Sequence, residues 1–223
     1  MYDISFDYVD SGIIEIHQQA ELSAEQGIWV NIEKDGDGYW YALKADDKPT
    51  PYTLPYGNGD YTIIIAQRKP INPVTGNNAQ ILEQTTVTLD MDNPDNVFLA
   101  NAGLLRWNNN MECIKYAAEL GDLESIRKFM RSLRYDKNSS IKDIETTYLT
   151  GTGMCTEFAT LFVCMLRSQN IPAKLIYGYV GTEYHAWAEV WNGVAWETID
   201  ITTEIRHGQG KKHHLPYVPK HVF

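Results

Sequence analysis

The sequence predicts an α+β protein, with an antiparallel β-sandwich over residues 1–92 and a second domain of helices and strands over residues 93–223. Three observations predict it. Short runs rich in Val, Ile, Tyr and Trp alternate with turn residues as far as residue 90. The pattern breaks at Asp92-Asn93-Pro94-Asp95. Beyond that point helical periodicity takes over, and a hairpin signal follows it.

The candidate strands of the first domain are 3–9, 13–19, 27–33, 39–44, 60–68 and 81–89. Between them stand Ser11-Gly12, Gly36-Asp37-Gly38, Gly57-Asn58-Gly59-Asp60 and Pro73-Val74-Thr75-Gly76, residues that favour tight turns. Strands this short and regularly punctuated suit a small sandwich. In the second domain, Met111, Ile114, Ala117, Ala118 and Leu120 share one helical face over 109–120, and Gly121 stops it. Asp122 caps a second helix, whose stripe is Leu123, Ile126, Phe129, Met130 and Leu133. Residues 135–153 are polar and turn-rich and read as a long loop of the functional kind. Residues 155–169 form a helix apolar on almost every side, hence buried, which Pro172 prevents from continuing. Strands follow at 174–181, 185–191 and 194–200, the last two joined through Asn192-Gly193, a strong hairpin signal.

Composition narrows the function classes. The 223 residues carry a formal net charge of −10, which argues against a nucleic-acid partner, since phosphate binding needs clustered Lys and Arg. No apolar run is long enough to span a membrane as a helix. No signal peptide is visible at the N-terminus, and localisation stays open. The last seventeen residues are basic and histidine-rich and read as a solvated tail. Of the three cysteines, no pair has metal-ligand spacing, and Cys113 and Cys164 read as buried small hydrophobes.

Cys155 differs because of its neighbours. Gly151-Thr152-Gly153 leads into it, placing it in a first helical turn where unpaired N–H groups and the helix dipole favour a thiolate. The amides of residues 154–156 are candidate donors to an oxyanion. A two-residue Asn192-Gly193 loop pairs Trp191 with Val194, and two-residue steps then set His185 opposite Asp200. A base and its orienting acid are thereby expected on neighbouring strands. Singly, a cysteine heading an apolar helix, a histidine on a strand and an aspartate ending one are ordinary structural residues. Together they form the set of nucleophile, base and acid that thiol catalysis needs.

These residues resemble the transglutaminase-like superfamily of papain-like thiol enzymes over about 105–203. Gly153-Met154-Cys155-Thr156-Glu157-Phe158-Ala159 resembles its nucleophile motif, and Leu166-Arg167 through Asn170-Ile171-Pro172 resembles the continuation. His185-Ala186-Trp187-Ala188-Glu189-Val190 resembles the histidine motif and Trp196-Glu197-Thr198-Ile199-Asp200 the aspartate motif. The resemblance implies a central buried helix packed on an antiparallel sheet, and a catalytic domain at 93–223. It implies Cys155 as nucleophile, His185 as base and acid and Asp200 as orienter. Trp187 is a candidate substrate-lining residue. No metal or organic cofactor is implied. Two departures stand out: Asn170 where the family usually has Gly, and Ile201 where Pro usually follows the aspartate. Similar bacterial proteins often carry a sandwich beside this core.

The expectation is a thiol acyl-transfer enzyme with a protein or peptide substrate, its thioester resolved by an amine or by water. Substrate choice is expected in loops 136–152 and 181–184. The alternative is a catalytically silent binding or structural module, for example of a cell surface or virion.

Overall fold

The computed structural model describes residues 2–18, 27–43, 48–68 and 79–223. The chain divides into two compact units, Met1–Val97 and Phe98–Phe223.

The first unit is built of β1 (Tyr2–Ser5), β2 (Ile13–Gln18), β3 (Ile28–Lys34), β4 (Asp37–Leu43), β5 (Thr50–Thr53), β6 (Gly59–Arg68) and β7 (Ala79–Leu89). They make two antiparallel sheets, ordered β1-β2-β5 and β4-β3-β6-β7. Alternation along the strands buries Ile14 and Ile16 on one sheet and Val30, Ile32, Ile63 and Ile65 on the other. Tyr41 and Tyr52 bridge the two sheets edge to face, with ring centroids 5.0 Å apart. The β3–β4 turn is Asp35-Gly36, both at positive φ, which matches the twist of a hairpin. β5 escapes the sequence reading because Pro51 argues against a strand, but it is an edge strand, where a missing N–H is tolerated. The expected strand 3–9 ends at Ser5 and gives way to a 3-10 turn at Val9–Ser11. The Pro73–Gly76 turn lies outside the described residues.

The second unit runs α1 (Glu112–Leu120), α2 (Leu123–Met130), β8 (Arg134–Tyr135), α3 (Ile144–Thr150), β9 (Thr152–Gly153), α4 (Cys155–Ser168), β10 (Ala173–Val180), β11 (Glu183–Trp191), β12 (Trp196–Ile199), α5 (Ile201–His207) and β13 (Tyr217–Val222). α4 is its core: every residue from Glu157 to Arg167 except Thr160 is buried. It packs on β10 and β11 and is surrounded by α1, α2, α3 and α5. The sheet is antiparallel, in the order β12-β11-β10-β13. No helix among the described residues is long and apolar enough to cross a membrane.

Caps set the helix ends. The Asp122 carboxylate accepts the Ser125 N–H at 2.9 Å, and Gly121 stops α1 at φ +73°. α4 ends with Asn170 at φ +58°, while Asn170 N–H bonds Arg167 O and Ile171 N–H bonds Leu166 O. That is a Schellman motif with Asn at the left-handed position, so the Asn-for-Gly departure keeps the helix end.

Two expectations fail here. The supposed loop 135–153 contains α3, capped by Asp143 through Thr146 N–H at 2.7 Å. Its polar composition hid the short helix. The basic tail is not simply solvated: Tyr217–Val222 pairs with β10 as a sheet strand. Pro219 and the polar pair Lys220-His221 masked its alternation.

Candidate active site

The approach to Cys155 is pinned on both sides. Gly151 ends α3 at φ +62°, and β9 then runs parallel to β8, with Arg134 N–H donating to Gly151 O at 2.9 Å and Asp136 N–H to Gly153 O at 3.0 Å. Lys142 Nζ donates to Thr152 Oγ1 at 2.8 Å and to Thr152 O at 3.2 Å. Cys155 is therefore held as the first residue of α4, in the turn whose N–H groups lack helical partners. The Met154 amide is not free, because it donates to Glu157 Oε2 at 2.9 Å. The donor set expected at 154–156 thus contracts to Cys155 and Thr156.

His185 and Asp200 meet, though not by the expected register. The β11–β12 ladder pairs Trp191 with Trp196 and Glu189 with Thr198, two residues away from the sequence expectation. Asn192 is not left-handed. Its side-chain oxygen accepts the N–H groups of Val194 and Ala195, both at 3.0 Å, and its own N–H bonds Ala195 O. The turn is consequently Gly193-Val194, with Gly193 at φ +95°. A shift of two preserves the side-chain parity that a shift of one would destroy. Asp200 falls just past β12, as the N-cap of α5, and from there His185 Nε2 lies 2.9 Å from Asp200 Oδ2.

Asp200 is wholly buried and heavily bonded. Its Oδ1 accepts the Thr203 N–H at 3.0 Å, and its Oδ2 accepts the Thr203 hydroxyl and the Tyr217 phenol, each at 2.8 Å. Ile201 takes the first helical position, where proline is also favoured, so the cap survives the exchange.

Cys155 and His185 lie close enough to act on each other's ionisation. With Nε2 committed to Asp200, Nδ1 is the ring nitrogen left for the sulfur. The electrostatics follow from this chain. Burial disfavours the Cys155 thiolate, but His185 and the Ala186 N–H outweigh it, and the thiol lies below its ordinary pKa. Burial likewise disfavours the His185 cation, yet Asp200 on one side and Cys155 on the other push it up to about 9. Burial of Asp200 is overcome by His185, Thr203 and Tyr217, which hold its carboxyl below the usual range. Such an arrangement can hold a thiolate–imidazolium pair at neutral pH. Cys113 and Cys164 are both buried, with thiols raised chiefly by desolvation, Cys164 to about 12.

Trp187 does not line a substrate surface. It is 1% exposed, packed with Ile176 and Val180 and stacked 6.4 Å from the His185 ring. It fills shape behind the histidine. The 181–184 segment is a two-residue turn, Gly181-Thr182, between Val180 and Glu183.

Three residues of the site escaped the sequence reading: Thr203, Tyr217 and His213. The His213 ring stands edge-on to His185, centroids 5.3 Å apart, with its Nε2 3.8 Å from Asp200 Oδ2. The ligand atoms of His185, Asp200 and His213 lie within 4.8 Å of one another, but Asp200 Oδ2 is already engaged by His185, Thr203 and Tyr217. The aspartate followed by Thr three residues on was the available signal for Thr203. Nothing local marked the other two.

Residues 115–201 match the family model of the transglutaminase-like superfamily. No curated protein matches the chain. Among solved structures, a candidate cysteine protease of Cytophaga hutchinsonii is similar, with 17% identity, covering 93% of this chain and 72% of that one at a TM-score of 0.49. The periplasmic domain of TgpA from Pseudomonas aeruginosa has 14% identity, with 93% and 96% covered at a TM-score of 0.42. Red sea bream transglutaminase has 11% identity, with 85% and 48% covered at a TM-score of 0.33.

Proposed function

Residues 115–201 are a segment of the transglutaminase-like superfamily, and from that premise we propose that the protein is a thiol acyl-transfer enzyme acting on a carboxamide or peptide carbonyl. One observation carries the reading: His185 has the Cys155 thiol on one side and the Asp200 carboxylate on the other. In this reading residues 93–223 are the catalytic domain and residues 1–92 a separate β-sandwich domain.

The Cys155 thiolate attacks the carbonyl carbon, and a tetrahedral intermediate forms with its oxyanion at the start of α4. The Cys155 and Thr156 amides are the donors available there. The His185 imidazolium gives its proton to the leaving nitrogen, the C–N bond breaks and a thioester remains. An incoming amine or water then loses a proton to His185 and attacks the thioester. The C–S bond breaks and the thiolate–imidazolium pair is restored. Asp200 holds the ring's orientation and stabilises its positive charge, staying ionised throughout. A protein or peptide is the expected substrate.

The test is Cys155→Ala against wild type. The variant should lose both labelling by iodoacetamide and turnover of a peptide-amide panel, and surviving turnover would sink the proposal. Mass spectrometry of wild-type Cys155 after incubation with those amides should find an acyl adduct. Its resolution product, with and without an added primary amine, separates transfer from hydrolysis.

A further inference from the structure

We infer that Tyr217 is a positioning residue for this reaction, one that fixes the Asp200 carboxylate against His185 from a strand remote in sequence; the inference rests on the thiol chemistry proposed above. The Tyr217 hydroxyl donates to Asp200 Oδ2 at 2.8 Å, the same oxygen that faces His185 Nε2. It accepts the His213 N–H at 3.1 Å, so both its donor and an acceptor site are used. Burial raises the phenol well above its ordinary pKa, and it stays a donor throughout the working pH range.

The contacts that orient Asp200 differ in kind. Thr203 contributes two bonds, but both belong to the cap of α5 and travel with that helix. Tyr217 comes from β13, which pairs with β10, which pairs with the β11 strand bearing His185. Its ring also stands edge-on to Trp187 at 5.1 Å, and Trp187 backs the His185 ring. Tyr217 therefore references the carboxylate to the same sheet that holds the imidazole. With His185 and Thr203 it bounds Oδ2 from three directions, which restricts rotation of the carboxylate away from the ring.

The fold makes room for this contact. A Cβ at Gly178, the residue paired with His185, would stand 2.2 Å from Val218 O and 2.7 Å from the Trp187 ring. The β10–β13 register shifts between Tyr177 and Gly178, where Lys220 is left without a partner beside Pro219, which has no N–H to offer the ladder. The segment leading to β13 is tied down as well, with Gly210 N–H donating to buried Glu204 Oε1 at 2.9 Å.

The experiment is the pH profile of Cys155 alkylation by iodoacetamide in wild type and Tyr217→Phe, with thermal melting of both. The titratable groups facing the pair are Asp200, His213 and Tyr217 itself. Phe keeps the ring packed on Trp187 and removes only the hydroxyl. A looser Asp200 stabilises the imidazolium less, so the window of the thiolate–imidazolium pair should narrow. The acid limb of alkylation should rise by about half a pH unit, and the alkaline limb of turnover, where the imidazolium loses the proton it gives to the leaving nitrogen, should fall by about as much. With a turned-over peptide amide, kcat should fall about tenfold while KM stays within about twofold. A fluorinated tyrosine at 217, a stronger donor of unchanged shape, should retain the window. Unchanged limbs in Tyr217→Phe overturn the inference. A wild-type alkylation profile whose acid limb stands no lower than that of an ordinary thiol overturns the thiol reading, and this inference with it.

Discussion

Asp200 does two jobs with one carboxylate. It caps α5 through Thr203, and it faces His185. The jobs separate by substitution, because asparagine caps a helix about as well as aspartate but carries no charge. Asp200→Asn should therefore melt within a few degrees of wild type yet lose at least about a hundredfold in kcat, measured by calorimetry and a turnover assay on the same preparation. A parallel loss of both would mean that the cap, not the chemistry, is what the residue supplies. Cys155, His185 and Asp200 are singled out by the sequence as a candidate set, and the fold brings them together. Their partners were legible in proportion to their closeness along the chain: Thr203 lies three positions away from Asp200, Tyr217 seventeen.

At the scale of the element, the β11–β12 hairpin shows how a sequence signal can be right in kind and wrong in register. Asn192-Gly193 marks a turn, and a turn is there, but the Asn192 side chain caps Val194 and Ala195 and moves the turn on by one residue. Removing that cap is a direct check. Asn192→Ala should cost about 1 kcal/mol in unfolding free energy, by analogy with other side-chain caps of backbone N–H groups, read from the denaturant midpoint at constant slope. The β10–β13 contact is less forgiving. Gly178→Ala sets a methyl against backbone at Val218 and against the buried Trp187 ring, so β13 or Trp187 must move. A destabilisation of about 1–3 kcal/mol is expected, together with a changed near-UV signal from Trp187. No change in either would mean the close approach is relieved without cost.

Across the whole molecule, long-range ion pairs and linked titrations set the stability. Arg127 of α2 donates through Nε to both carboxylate oxygens of Glu204 in α5, at 2.9 and 3.1 Å, and both side chains are buried. Glu204→Ala leaves that guanidinium buried without its main partner and should cost about 3–5 kcal/mol by chemical denaturation. The pH dependence has a definite sign. His185 is raised from 6.5 to about 9, so it binds its proton more tightly when folded. Its contribution is complete below pH 6.5 and is lost as the pH rises through about 9. In Cys155→Ala, which removes the opposing thiol contribution, the melting temperature should fall over that interval, and less steeply when His185→Gln is added. Cys155 and Asp200 are shifted the opposite way, so their contributions fade on acidification instead.

The sequence by itself determined the α+β class, the sheet-rich first unit, the buried helix headed by Cys155 and the caps at Asp122 and Asn170. These depend on periodicity and on hydrogen bonds between residues a few positions apart, which local sequence carries. Only the tertiary structure decided the hairpin register, the folding of the basic tail into the sheet, the burial of Trp187 and the meeting of Tyr217 with Asp200. Each of those depends on which distant backbones come to lie side by side. That outcome follows from the packing of the whole sheet against α4 and from the free energy of burying its apolar face, and no short window of residues contains it.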